Sequence, residues 1–116
     1  MQESPIFTRT YDLVKWLIPL TLKFPKSQRF VMAQRVQDTS LDFQDLLIAA
    51  SLSQDKAPIL TQADIELQKL RFRLRLCFDF QLISMGQYEH VSRMVAEIGR
   101  LLGGWRKKAE AGIAPE

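Results

Sequence analysis

A chain of 116 residues is the size of one domain and too short for two separate cores. With 47% hydrophobic and 25% charged residues it has the proportions of a folded globular protein, and only 5 Gly and 5 Pro argue against disorder and against a turn-rich β-architecture. A net charge of +3 permits a polyanionic partner without demanding one, so the placement of charge matters more than its sum.

The first predicted helix runs near residues 7–23 and carries Tyr11, Leu13, Val14, Trp16, Leu17, Ile18 and Leu20. Pro19 removes one backbone hydrogen bond within it, and Phe24-Pro25 closes it because a residue before proline is pushed out of the helical region. The second helix is expected near 25–52, with proline in its first turn. Met32, Val36, Phe43, Leu47 and Ala50 share one face. A second line, Phe30, Leu41, Ile48 and Leu52, lies well round from it. Residues 53–60, with Pro58, read as a loop.

A third helix is expected near 61–85, opened by Thr61 and Asp64 at capping-box spacing. Residues 70–76 alternate Leu-Arg-Phe-Arg-Leu-Arg-Leu, which alone resembles a strand. No turn residue bounds that run, and Leu67, Leu70, Leu74, Cys77, Phe78 and Met85 form a helical stripe through it. Phe72, Leu76, Phe80 and Ile83 form another stripe on nearly the opposite side. Ser84 and Gln87, again at capping-box spacing, lead into a fourth helix near 87–102 with Val91, Met94, Val95, Ile98, Leu101 and Leu102 on its apolar face. Gly103-Gly104 is expected to stop it, leaving a basic C-terminal tail from about residue 105.

The fold class is therefore all-α, a single domain over 1–116. Four helices with short connections pack most simply as an up-down-up-down antiparallel bundle. Such a bundle hides one stripe per helix, so Phe72, Leu76, Phe80 and Ile83 call for a second copy or a large partner to cover them, the alternative being skewed helix crossings that absorb both stripes within one bundle. Burial of each contributes on the order of 1.5–3 kcal/mol.

Residues 13–37 contain no acid but hold Lys15, Lys23, Lys26, Arg29 and Arg35, whereas residues 36–55 carry Asp38, Asp42, Asp45 and Asp55 and no base. In an antiparallel bundle Lys23, Lys26 and Arg29 rim one end, while Asp45, Asp55, Asp64 and Glu66 gather at the other. The densest basic patch is Lys69, Arg71, Arg73 and Arg75, and Arg106, Lys107 and Lys108 follow Trp105. These ten bases are the candidate contacts to nucleic-acid phosphates or a protein partner. Each has a plainer reading as a solvated or ion-paired surface residue, as Arg75 with Asp79 four positions on. Arg93 and Arg100 are weaker candidates because Glu89 and Glu97 stand at helical spacing from them.

Catalytic chemistry has no constellation to rest on. His90 has no partner at metal-ligand spacing, and the glycines match no phosphate-binding loop or dinucleotide fingerprint. Cys77, lying among Leu74, Leu76 and Phe78, reads as a small buried hydrophobe. No catalytic residue, metal or cofactor is expected. The start MQESPIFTR lacks a basic segment followed by an apolar one, and charges interrupt every long apolar stretch, so a cytoplasmic protein without a membrane span is expected.

Four segments carry a family resemblance: Phe7-Thr-Arg-Thr-Tyr-Asp-Leu-Val-Lys-Trp-Leu17, Lys23-Phe-Pro-Lys-Ser-Gln-Arg-Phe30, Leu67-Gln-Lys-Leu-Arg-Phe-Arg-Leu-Arg75 and Glu97-Ile-Gly-Arg-Leu-Leu-Gly-Gly-Trp105. In this order they resemble the Avd accessory proteins of diversity-generating retroelements, part of a wider group of four-helix-bundle proteins that includes those encoded in ribosomal RNA intervening sequences. The resemblance implies a homopentameric accessory subunit that binds the retroelement reverse transcriptase and RNA or DNA and supports mutagenic complementary-DNA synthesis. It implies no catalytic residue in this chain. The alternative is a structural protein-interaction module without a nucleic-acid role.

Overall fold

A computed structural model describes residues 4–112. Four α-helices, Pro5–Thr21 (α1), Gln34–Leu52 (α2), Ala57–Asp79 (α3) and Met85–Glu110 (α4), account for most of it, and the described residues include no strand. The alternating run at 70–76 is helical, as the wider stripe indicated.

The ends of the helices show which local signals won. Pro5 stands in the first turn of α1, where its missing N–H is no loss. The helix passes Pro19 and closes at Thr21, whose hydroxyl donates to the Ile18 carbonyl at 2.8 Å. Residues 25–33 depart from the expected continuous helix. They form a 3₁₀ turn, Lys26–Gln28, and a π-helical turn, Arg29–Ala33, before the α pattern sets in at Gln34. Neither Pro25 nor Gln28 supplies a side-chain cap, so the first turns tighten and then widen, and Met32 and Ala33 reach the core.

Helix α3 begins at Ala57 rather than Thr61. Pro58 belongs to its first turn instead of to a loop, and Thr61 and Asp64 lie inside it and cap nothing. The preceding Lys56 donates from Nζ to the carbonyls of Ala50, at 2.9 Å, and Ser53, placing a cation where the C-terminal carbonyls of α2 lack partners. Helix α3 ends at Asp79, short of residue 85. Gln81 takes a left-handed φ of 62°, its N–H donates to Phe78 and that of Leu82 to Cys77, which together make a Schellman cap. Ile83 lies past that cap and is buried, not part of an outward stripe, and Met85 is exposed.

Ser84 and Gln87 form the expected reciprocal box: Ser84 Oγ accepts from the Gln87 N–H at 3.1 Å and Gln87 Oε1 from the Ser84 N–H at 2.8 Å. Contrary to expectation, α4 does not stop at Leu102 but runs through Gly103 and Gly104 to Glu110. Two mid-helix glycines cost about 1 kcal/mol each. Burying 150–250 Å² of tryptophan returns roughly 4–6 kcal/mol, and Trp105 is buried with its ring edge-on to Phe7 at 5.7 Å. The sequence beyond Leu102 therefore continues the core stripe.

That core is one cluster. Leu13 and Leu17, then Val36, Phe43, Leu47 and Ala50, then Leu67, Leu70 and Leu74, and finally Val91, Val95, Ile98 and Leu102 are all buried in it. Helix α1 packs on α2 and α4, and α3 packs on the same two. Thr21 meets Gln37 between α1 and α2, Thr39 meets Arg73 between α2 and α3, Phe78 stacks on Tyr88 and Asp64 pairs with Arg106 between α3 and α4, and Trp16 packs on His90 between α1 and α4.

Cys77 is buried, and burial pushes its thiol up to about 11. The reactive thiolate is thus scarce near neutrality. At pH 8 the native protein should alkylate with iodoacetamide far more slowly than the chain in denaturant, where an ordinary thiol titrates near 8.5. Equal rates would mean that Cys77 is open to solvent.

Candidate nucleic-acid interface

Two apolar surfaces are left uncovered. On α3, Leu70 and Leu74 turn inward, so Phe72 and Leu76 point away from the core; Phe72 is 74% exposed, and Phe80 beyond the helix is exposed with them. On α2, Leu41 and Ile48 are exposed, as are Phe30 before the helix and Leu52 at its end. Ile48 and Tyr11 line a groove between α1 and α2, so this second surface lies on a different side of the protein from the α3 stripe. Of the four expected contact residues, Phe72, Leu76 and Phe80 are available and Ile83 is not.

The bases of α3 divide by partner. Lys69 pairs with Glu66 at 3.0 Å, and Arg75 with Asp79 at 3.2 Å, the latter contact holding the Arg75 guanidinium still more firmly protonated. Glu66, expected among the acids gathered at the far end of the bundle, is buried. Arg73 donates to the Thr39 hydroxyl and so ties α3 to α2. Arg71 lies across Gly99 of α4, where a Cβ would come within 2.6 Å of its Nη2. Among the described residues, no carboxylate pairs with Arg71 or Arg73. A line of four bases in sequence is thus two neutralised pairs, one helix-to-helix link and one cation held against a neighbouring helix.

Lys23, Lys26 and Arg29 are exposed. Beside them lie the exposed Leu22, Phe30 and Val31, with a cavity of about 410 Å³ bounded by Leu22, Arg29 and Phe30 on one side and Gln37 and the acid Asp38 on the other. The third group sits elsewhere. Trp105 packs on Phe7 near the start of α1, so Arg106, Lys107 and Lys108 lie about the length of α1, roughly 25 Å, from Lys23. Arg106 is engaged, with Asp64 at 3.4 Å and Thr61, while Lys107 is exposed. The extension of α4 therefore brings three bases to the end expected to be acidic and blunts the axial asymmetry read from sequence.

Two further bases emerge on α4. Glu97, expected to neutralise Arg93 and Arg100, instead binds Arg9 of α1 at 2.6 Å. Arg93 and Arg100 are exposed, have no ion-pair partner among the described residues, and fall in line with Lys107 at seven-residue spacing, two turns apart each time. That spacing is present in the sequence; the diversion of Glu97 to a residue 88 positions away is not. No helix among the described residues is long and apolar enough to cross a membrane.

A sequence model of the bAvd-like family matches residues 5–109. No curated protein matches the chain.

Proposed function

The chain belongs to the bAvd-like family, and from that premise, which points to an accessory role in a retroelement, we propose that it is a non-catalytic subunit serving a retroelement reverse transcriptase in the cytoplasm. It binds the enzyme and the template RNA or its cDNA and so supports mutagenic reverse transcription. It works as a homo-oligomer, a pentamer by family resemblance, built from single four-helix domains in up-down-up-down order. The topology is supported by the residue pairs: Phe7 with Trp105 and Trp16 with His90 run in opposite senses along α1 and α4, as do Asp64 with Arg106 and Phe78 with Tyr88 along α3 and α4.

The observation that carries the reading is the pair of uncovered apolar surfaces on α3 and on the α1–α2 side. Two unlike patches on different sides favour a head-to-tail contact, and a head-to-tail contact that closes makes a ring. Around a ring, Lys23, Lys26 and Arg29 are repeated in every copy, and attraction for phosphates grows with their number. Arg71, together with Lys107, adds positive charge outside that rim, whereas Lys69, Arg73, Arg75, Arg106 and Lys108 contribute less because each is engaged within the protein.

That engagement favours a second reading, a protein-interaction module with no nucleic-acid role. Coexpression with the reverse transcriptase of its retroelement separates the two. A stable complex that makes more cDNA from template RNA than the enzyme alone is the expected result. Failure to co-purify, with cDNA yield unchanged by the added subunit, would contradict the accessory role and leave the interaction module.

A further inference from the structure

We infer that the outer face of α4, from Arg93 to Lys107, is a track for the sugar–phosphate backbone of a single nucleic-acid strand. Each of its bases stands two residues from the buried core stripe: Arg93 from Val91 and Val95, Arg100 from Ile98 and Leu102, Lys107 from Trp105. Two residues are about half a turn, so all three bases lie on the side of the helix opposite the core. They are exposed and cover roughly 21 Å of helix, the length of about six stacked nucleotides at ~3.4 Å each.

The charge on this face is unopposed. The stretch 93–107 contains one acid, Glu97, and Arg9 of α1 holds it at 2.6 Å, so Arg93, Arg100 and Lys107 have no ion-pair partner among the described residues. Between Arg100 and Lys107 stand Gly103 and Gly104, where a Cβ at either would meet nothing within 4 Å. Glycine is unfavourable in mid-helix and the packing of the chain does not require these two, but bare backbone at that turn lets a strand approach the helix closely. The two uncovered apolar surfaces lie elsewhere, on α3 and on the α1–α2 side, so the track stays open when copies join through them.

A second copy of the chain is the poorer occupant. The exposed Asp38, Asp42 and Asp45 of α2 match the charge, but no large apolar side chain is exposed between Arg93 and Lys107, and surface ion pairs alone contribute little. Phosphates gain more, because each one neutralised releases condensed counterions. Trp105, the aromatic of this stretch, is buried, so the track holds the backbone and stacks on no base. It deepens the proposed nucleic-acid role and rests on it.

Anisotropy of a fluorescent oligouridylate, titrated with the protein at several salt concentrations, tests the track through two variants. Arg93→Gln, Arg100→Gln and Lys107→Gln together should lower the log–log salt slope by about 2, at ~0.7 for each phosphate no longer neutralised, and the affinity about a hundredfold near ~0.1 M salt. Gly103→Ala with Gly104→Ala changes no charge. It should raise the melting temperature, as alanine does in a helix, yet weaken binding several-fold, a loss that neither net charge nor folding explains. With the parent protein still binding, unchanged affinity in either variant would overturn the track and keep the nucleic-acid role. A fall in the mass of the assembly with RNA affinity unchanged would overturn it in favour of a second copy. No binding by the parent protein would overturn both the track and the role it rests on.

Discussion

Phe72→Asp combined with Leu76→Asp should yield a folded helical protein that no longer assembles. Both side chains are exposed on a single copy, and surface substitutions of that kind change the stability of a fold by only about 0.5 kcal/mol either way. In a contact between copies the same two positions are buried. There they forfeit on the order of 1.5–3 kcal/mol each and leave carboxylates without water, enough to lower association by several powers of ten. Light scattering should show a fall to the 13.4 kDa of one chain while the helical circular dichroism persists. Ile48→Asp on the other surface should do the same. If the contact is head-to-tail, mixing the two variants restores one intact junction, from the α3 stripe of one to the α1–α2 groove of the other, and gives a one-to-one dimer and nothing larger. An unchanged mass for both variants would assign these surfaces to some other role.

The second large effect concerns the bases. Reversing Lys23, Lys26 and Arg29 to Glu should weaken RNA binding and flatten its salt dependence, by about 0.7 in the log–log slope for each single-strand phosphate that is no longer neutralised. These three are the clean choice because all are exposed and, among the described residues, none of them pairs with a carboxylate as Lys69, Arg75 and Arg106 do. Arg71→Glu should add to the effect. Arg73→Glu would confuse it, since its link to Thr39 joins α3 to α2, and Lys69→Gln or Arg75→Gln should matter less because each gives up a charge already paired. Affinity that stays the same at several salt concentrations would assign the rim to protein contacts.

What could be read from the sequence, and what could not, follows the range of the interactions. The stripe of Met32, in the turn before α2, and Val36, Phe43, Leu47 and Ala50 of α2 is buried throughout because a period of three and four is a local property. The Ser84–Gln87 box is equally local. The end of α3 is hidden in the sequence because its left-handed residue is Gln81, not glycine, and the bonds that make the cap come from the backbone. The Gly103-Gly104 stop fails for the opposite reason: a local signal yields to the tertiary burial of Trp105. The charges are least legible. Glu97 stands at ion-pair spacing from Arg93 and Arg100 yet binds Arg9, and Arg106 crosses to Asp64. Such pairings decide which bases are left for a partner, and they exist only once the helices have packed.

Assembly through apolar faces that one copy cannot cover is the claim on which the rest depends. The most direct measurement is the mass of the purified protein in dilute buffer, alone and with RNA. The expected result is a multiple of 13.4 kDa that rises further when RNA is added. A single chain that stays single, with or without RNA, would contradict it.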